Sequence, residues 1–286
     1  MSSCRPPVNS TYLVIGQDLF SIDEYVRSQY NYSLHHHYHP RTDTNNTSPF
    51  TNGSTVIDSI SNFVPSAFMV YTDLATLVGL WEPSDYGSGV EYADGTVDLF
   101  YPLPSSSSRH DNDRHDVDND GRIVTTRSPV GLQIGLWLDG ADGCFSICSG
   151  EMDDNIRRLS SYLERTRASR VFLRLGYEFD NPSFGYIDDP EIYALAFRKI
   201  AHDVRAGLTP DSRERVLFVW HSWAAPMAHL GLSLERFYPG DDVVDWIGIS
   251  LFQQAYPWSS DWAGTMSDVA NVLDFARDHE KVPYIS

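Results

Sequence analysis

Val171-Phe172-Leu173-Arg174-Leu175-Gly176-Tyr177-Glu178-Phe179-Asp180 is the stretch on which the fold is read. An apolar run of strand length ends at once in a carboxyl group set among aromatic side chains. Strands of a parallel sheet read as near-continuous apolar runs, and barrel enzymes keep their chemistry at the C-terminal ends of such strands. Counted from the N-terminus, this run is the fourth of its kind. Tyr12 to Ile15 reads as the first, Ala67 to Tyr71 as the second and Gly131 to Trp137 as the third. Val216 to Trp220 is the fifth, Val244 to Ile249 the sixth, and Val282 to Ile285 begins the seventh. Stretches of helical period, Met152 to Arg167, Pro190 to Arg205 and Asp261 to His279, separate several of them. Strands alternating with amphipathic helices predict a parallel α/β sheet, for which a (β/α)8 TIM barrel is the simplest closed form. Such barrels run to roughly 250 residues as one domain. The 286 residues therefore predict a single barrel domain over 1–286 with two polar insertions.

The first insertion, about 30–55, is rich in asparagine and carries His35-His36-His37-Tyr38-His39. Adjacent rings on a polar loop converge poorly on one ion, so a solvated loop is the expected state and no metal site is assigned. The second, about 104–128, contains Asp116, Asp118, Asp120 and Gly121 at the spacing that opens a calcium loop. Arg127 stands where the closing bidentate glutamate belongs, so a complete calcium hand is excluded. A weaker isolated calcium site and a plain acidic insertion both stay open.

With 21 basic against 39 acidic residues, the formal charge of −18 repels phosphate backbones and anionic membrane surfaces. Nucleic acid is not an expected partner. No stretch approaches the roughly 20 apolar residues that a membrane span needs. The opening Met1-Ser2-Ser3-Cys4-Arg5-Pro6-Pro7 lacks the order of a secretory signal, whereas Asn9, Asn31, Asn45, Asn46 and Asn52 each open an Asn-x-Ser/Thr triplet. Either the chain is intracellular or its true N-terminus is absent; the triplets favour a secreted or lumenal protein, and chance occurrence in Ser/Thr/Asn-rich loops is the alternative. Three cysteines make no disulfide scaffold; Cys144 and Cys148 are either a pair across a short loop or two buried thiols.

Polar and aromatic residues gather at the expected strand ends: Gln17 and Asp18 after the first, Thr72 and Asp73 after the second, Asp139 after the third. Trp220, His221 and Trp223 follow the fifth strand, and Phe252, Gln253, Tyr256 and Trp258 the sixth. Rings beside carboxylates and amides suit a sugar, whose axial C–H groups stack on ring faces while its hydroxyls bond polar side chains. Core packing is the competing role for Trp137 and Trp220.

Val171 to Asp180, Val219-Trp220-His221-Ser222 and Tyr238-Pro239-Gly240-Asp241-Asp242-Val243-Val244-Asp245-Trp246-Ile247-Gly248 together resemble glycoside hydrolase family 26. The resemblance spans most of the chain from the first strand onward. It implies a retaining endo-glycanase acting on a neutral β-glycan, with no cofactor. The family places a glutamate acid/base after strand four, which Glu178 matches, and a glutamate nucleophile after strand seven. Burial among Tyr177 and Phe179 would raise the Glu178 pKa so that it enters protonated. A structural ion pair with Arg174 is its alternative role. Tyr177, Trp220, His221, Asp18, Gln253 and Tyr256 are the candidate sugar contacts.

Two departures bear on substrate. Tyr177 stands where the family has histidine, and its later tryptophans have no counterpart in Asp180-Asn181-Pro182-Ser183-Phe184-Gly185-Tyr186. β-Mannan is the first expectation, with mixed-linkage glucan and β-1,3-xylan behind it. The seventh run, Lys281 to Ser286, stops where the nucleophile is expected, so the chain is read as an incomplete barrel lacking its eighth strand. A non-catalytic glycan-binding barrel is the rival function, since it needs no second carboxylate. A metal-dependent hydrolase ranks last, because it would require converging His and Asp ligands at strand tips.

Overall fold

A computed structural model describes residues 14–15, 67–81, 93–94, 97, 116–117, 123–124, 130–250 and 262–285. Seven strands form one sheet: β1 (Val14–Ile15), β2 (Ala67–Asp73), β3 (Gly131–Trp137), β4 (Val171–Leu175), β5 (Val216–Ser222), β6 (Trp246–Ile249) and β7 (Val282–Ile285). They lie side by side in chain order, and every neighbouring pair is parallel. Sequential parallel order with intervening helices is the wall of a (β/α) barrel.

Curvature is visible in the contacts. Tyr284 on β7 donates a hydrogen bond to the Gln133 side chain on β3. Four ladder steps would hold those strands roughly 19 Å apart in a flat sheet, at about 4.8 Å per step. The sheet therefore curls until its third and seventh strands meet across the interior. Successive residues alternate between the two faces. Ala67, Phe172, Leu217, Val219 and Trp246 pack together inside with Val282 and Tyr284. Leu132, Ile134, Leu173, Leu175, Phe218, Trp220 and Ile247 face outward into a larger core beneath the helices.

That outer core is covered by α1 (Gly140–Ser149), α2 (Asp153–Arg165), α3 (Pro190–Gly207), α4 (Pro210–Arg215), the single turns α5 (Met227–Leu230) and α6 (Leu234–Phe237), and α7 (Trp262–Asp278). Helix α3 starts where Asp189 accepts the Ile192 amide and Pro190 presets the first turn. Its buried stripe, Tyr193, Ala196, Phe197, Ile200, Ala201 and Val204, recurs at helical spacing and seats on the sheet. Helix α4 opens in the same way, Thr209 accepting the Ser212 amide ahead of Pro210. No helix among the described residues is long and apolar enough to cross a membrane.

Strand β6 begins at Trp246 rather than at Val244 as expected. The amides of Val243 and Val244 both donate to the Gly240 carbonyl in a turn, and the Asp245 carboxylate, not a strand carbonyl, receives the Phe218 amide at 2.8 Å. Helix α1 carries no periodic signal strong enough to predict. Its start follows β3 so closely that a Cβ at Gly143 would lie 1.9 Å from the Leu138 carbonyl oxygen. Gly143→Ala should therefore cost about 1–3 kcal/mol of stability through forced overpacking, read from the urea midpoint.

The histidine cluster and most of both insertions lie outside the described residues. Of the acidic loop, Asp116–Val117 and Ile123–Val124 pair as a short antiparallel ribbon. Cys144 and Cys148 lie one turn apart on α1 as free thiols, which decides that alternative against a disulfide.

Candidate active site

Strand β4 ends at Leu175, and Gly176 turns the chain with φ +55, a conformation that leaves no room for a side chain because the Tyr193 ring closes over it. The next four residues then divide between core and opening. Phe179 is fully buried, stacked on Trp220 with centroids 4.3 Å apart. Asp180 is also fully buried, and its carboxylate accepts from Ser222 Oγ at 2.7 Å and from the amides of Trp223 at 2.5 Å and Ala225 at 2.9 Å. Burial raises its pKa, and these three donors offset only part of that rise. Asp180 is thus a brace between the β4 and β5 ends. Tyr177 and Glu178 remain half-buried at the rim.

Glu178 sits in the left-handed region at φ 54. Its Oε1 accepts from Ser250 Oγ at 2.6 Å, and its Oε2 from Asn181 Nδ2 at 3.2 Å. Its amide donates to His221 Nδ1 at 3.3 Å. Ser250, itself buried just past β6, is tied back to β5 by its amide on the Ser222 carbonyl. Residues from the ends of three strands therefore fix this one glutamate, two at its carboxyl and one at its amide. An aromatic wall adjoins it: Tyr177 meets Tyr71 at 5.0 Å, Phe184 at 5.8 Å and Trp137 at 6.1 Å, centroid to centroid.

Beneath the rim, the interior layer becomes polar. Arg174 is buried, donates to Tyr71 Oη at 3.1 Å, and lies over the rings of Tyr71 and Tyr177 at 5.4 and 5.3 Å. Among the described residues it has no carboxylate partner, so the alternative of a Glu178–Arg174 ion pair is not what this geometry shows. Its Nη1 approaches His221 Nε2 at 3.4 Å. Burial first, and the Arg174 charge second, hold the His221 pKa well below its ordinary value.

The expected sugar contacts separate. Tyr177 stands in the aromatic wall beside Glu178. Trp220 is corrected to a core residue: it has no exposed surface, and its indole N–H is spent on the Phe237 carbonyl. Parity explains this, since Trp220 points outward from β5 whereas His221 points inward. His221 is also fully buried, so it reaches the site through the Glu178 backbone rather than as an open sugar contact. Asp18, Gln253 and Tyr256 lie outside the described residues. Asp73 is occupied by the Thr76 amide and hydroxyl at 2.7 and 2.6 Å. Ser250 and Asn181 carry no sequence signal as site residues, and Arg174 enters there only as the alternative ion-pair partner of Glu178. A serine next to a strand end carries no distinctive spacing, and only the fold brings it to Glu178.

The neutral histidine has a consequence for acid stability. Its folded pKa lies below the ordinary value of about 6.5, so the unfolded chain binds that proton more readily. The stabilisation is complete above about pH 6.5 and is lost as pH falls from there toward the lower folded value. Asp180, raised by burial, works in the opposite sense at lower pH. His221→Asn should flatten the loss between roughly pH 6.5 and 5. Denaturant midpoints of both proteins at each pH measure it, and parallel curves would refute it.

No protein-family model matches the chain. It is similar to a β-1,3-xylanase of Alcaligenes sp., 24% identical over 236 residues, and to a β-1,3-xylanase of Vibrio sp., 25% identical over 236 residues. Each alignment covers 80% of this chain but only 41% and 42% of those proteins, so the chain spans about two-fifths of the length of the curated relatives it matches. Among solved structures, a glycoside hydrolase family 26 β-mannanase from Bacteroides ovatus is 14% identical with a TM-score of 0.47, over 82% of this chain and 66% of that one. A modular endo-β-1,4-mannanase of family 26 from Cellulomonas fimi is 12% identical with a TM-score of 0.48, over 80% and 50%.

Proposed function

We propose that this chain acts in an endo-acting, retaining glycoside hydrolase for a neutral β-glycan, with Glu178 as the acid/base. The observation that carries the reading is Glu178: a half-buried carboxyl at the tip of β4, gripped by Ser250 and Asn181 and next in sequence to Tyr177, whose ring packs with those of Tyr71 and Trp137. In the first step Glu178 gives its proton to the departing glycosidic oxygen as a second carboxylate bonds to the anomeric carbon. In the second step it takes a proton from the water that releases the sugar. A hydroxyl both donates and accepts, so Ser250 can follow Glu178 through both states. The nucleophile after strand seven comes from the family resemblance. In retaining enzymes the two carboxyl groups stand about 5–5.5 Å apart.

The two similar curated proteins are β-1,3-xylanases, which supports testing β-1,3-xylan first, before β-mannan. The experiment is reducing-end release from soluble β-1,3-xylan, β-mannan and mixed-linkage glucan by the full-length gene product and its Glu178→Gln variant. Turnover of one glycan that disappears in the variant supports the proposal. Binding without turnover by the unsubstituted protein would instead favour a glycan-binding barrel.

A further inference from the structure

The interior layer directly below Glu178 is built around one histidine. His221 touches the Glu178 segment twice: its Nδ1 accepts the Glu178 amide, and its carbonyl accepts the Phe179 amide, both at 3.3 Å. These bonds act on a residue held at φ 54, where a residue with a Cβ does not stay without support. Rotation of that backbone would swing the carboxyl away from Ser250. The ring is held in turn on two sides. Gly248 on β6 leaves the space it fills, since a Cβ there would stand 2.4 Å from His221 Cδ2 and 3.2 Å from its Cγ. Arg174 lies at the other ring nitrogen and is fixed by the Tyr71 hydroxyl and two tyrosine rings. Burial and the nearby cation both oppose a second proton on the ring, and the bond from the Glu178 amide requires the neutral tautomer whose hydrogen is on Nε2.

We propose that His221, seated against Gly248 and flanked by Arg174, is a positioning residue that fixes the Glu178 backbone for proton transfer. This rests on Glu178 being the proton donor. His221 touches no substrate; it acts through the direction it imposes on the glutamate.

The test compares kcat/KM on β-1,3-xylan, whose leaving group needs a proton, with kcat/KM on a 2,4-dinitrophenyl glycoside of the same oligosaccharide, whose leaving group does not. His221→Leu should lose about 100-fold on the polysaccharide and less than about 3-fold on the aryl glycoside, within the range of general acid catalysis. His221→Asn places an amide oxygen near the Nδ1 position and should recover most of the loss. Gly248→Ala, which crowds the ring without removing it, should show the same split in milder form. If His221→Leu does not fold, Gly248→Ala carries the comparison, with His221→Asn as its near-neutral control. Equal losses on both substrates, or no loss on either, in folded His221→Leu and Gly248→Ala would overturn the proposal. A Glu178→Gln variant that shows no split would instead overturn the acid/base reading beneath it; a split there with none at His221 removes only the positioning role.

Discussion

Glu178→Gln should lower kcat/KM for an unactivated β-glycan by about 10²–10⁴-fold while leaving glycan affinity within a few-fold, the span that one positioned proton donor supplies. Glutamine keeps the side-chain volume and an oxygen for Ser250, but it cannot deliver a proton to the glycosidic oxygen. The Asn181 contact tests the substitution internally: Asn181 Nδ2 donates to Oε2, and an amide nitrogen at that place would face another donor, so the new side chain is expected to settle with its oxygen toward one partner only. The effect should therefore fall on turnover and not on folding. Reducing-end assays and affinity electrophoresis in the same glycan separate the two. Unchanged turnover would remove Glu178 from the chemistry.

The second large effect is on stability. Asp180→Ala strips the partner from Ser222 Oγ and from the buried amides of Trp223 and Ala225 at once. Leaving a buried donor unsatisfied costs about 1–3 kcal/mol each, and water admitted to the space the carboxylate vacates offsets part of the sum over three donors, so a loss on the order of 4 kcal/mol is expected. Against a typical total of about 5–15 kcal/mol this is a large fraction. Asp180→Asn retains one acceptor oxygen but turns an amide toward the same donors, and about half the loss is expected. Urea unfolding of both variants provides the measurement, and a shift below about 1 kcal/mol in the alanine variant would contradict the bracing role. The burial that raises the Asp180 pKa also shows why this carboxyl is no second catalytic group: it is sealed from the opening by its own donors.

The two acidic residues at the end of β4 show how far local sequence reaches. Glu178 and Asp180 stand two apart in one run, and alternation alone would give them the same face. The left-handed turns at Gly176 and Glu178 break that parity, sending Asp180 inward to the β5 end and leaving Glu178 at the rim. Trp220 and His221 divide the other way. Strand parity does govern there, so the tryptophan enters the outer core and the histidine the barrel interior. Helix α1 is not legible in the sequence because the residue that makes its start sterically possible, Gly143, is itself a poor helix former.

By itself, the sequence determined the parallel order of strands, the stripes of α2 and α3 and the emergence of Glu178 at a strand end. Apolar periodicity, Pro and Asp caps and strand length are local quantities that neighbouring residues carry. Only the tertiary structure decided that Ser250, 72 positions away, holds the Glu178 carboxyl, that Gly248 makes room for His221, and that Arg174 stacks between tyrosines with no carboxylate partner among the described residues. Those contacts arise from the curl of the sheet, which brings inward-facing residues of separate strands into one layer. A one-dimensional pattern sets which way a side chain faces, and the closing of the wall sets what it meets.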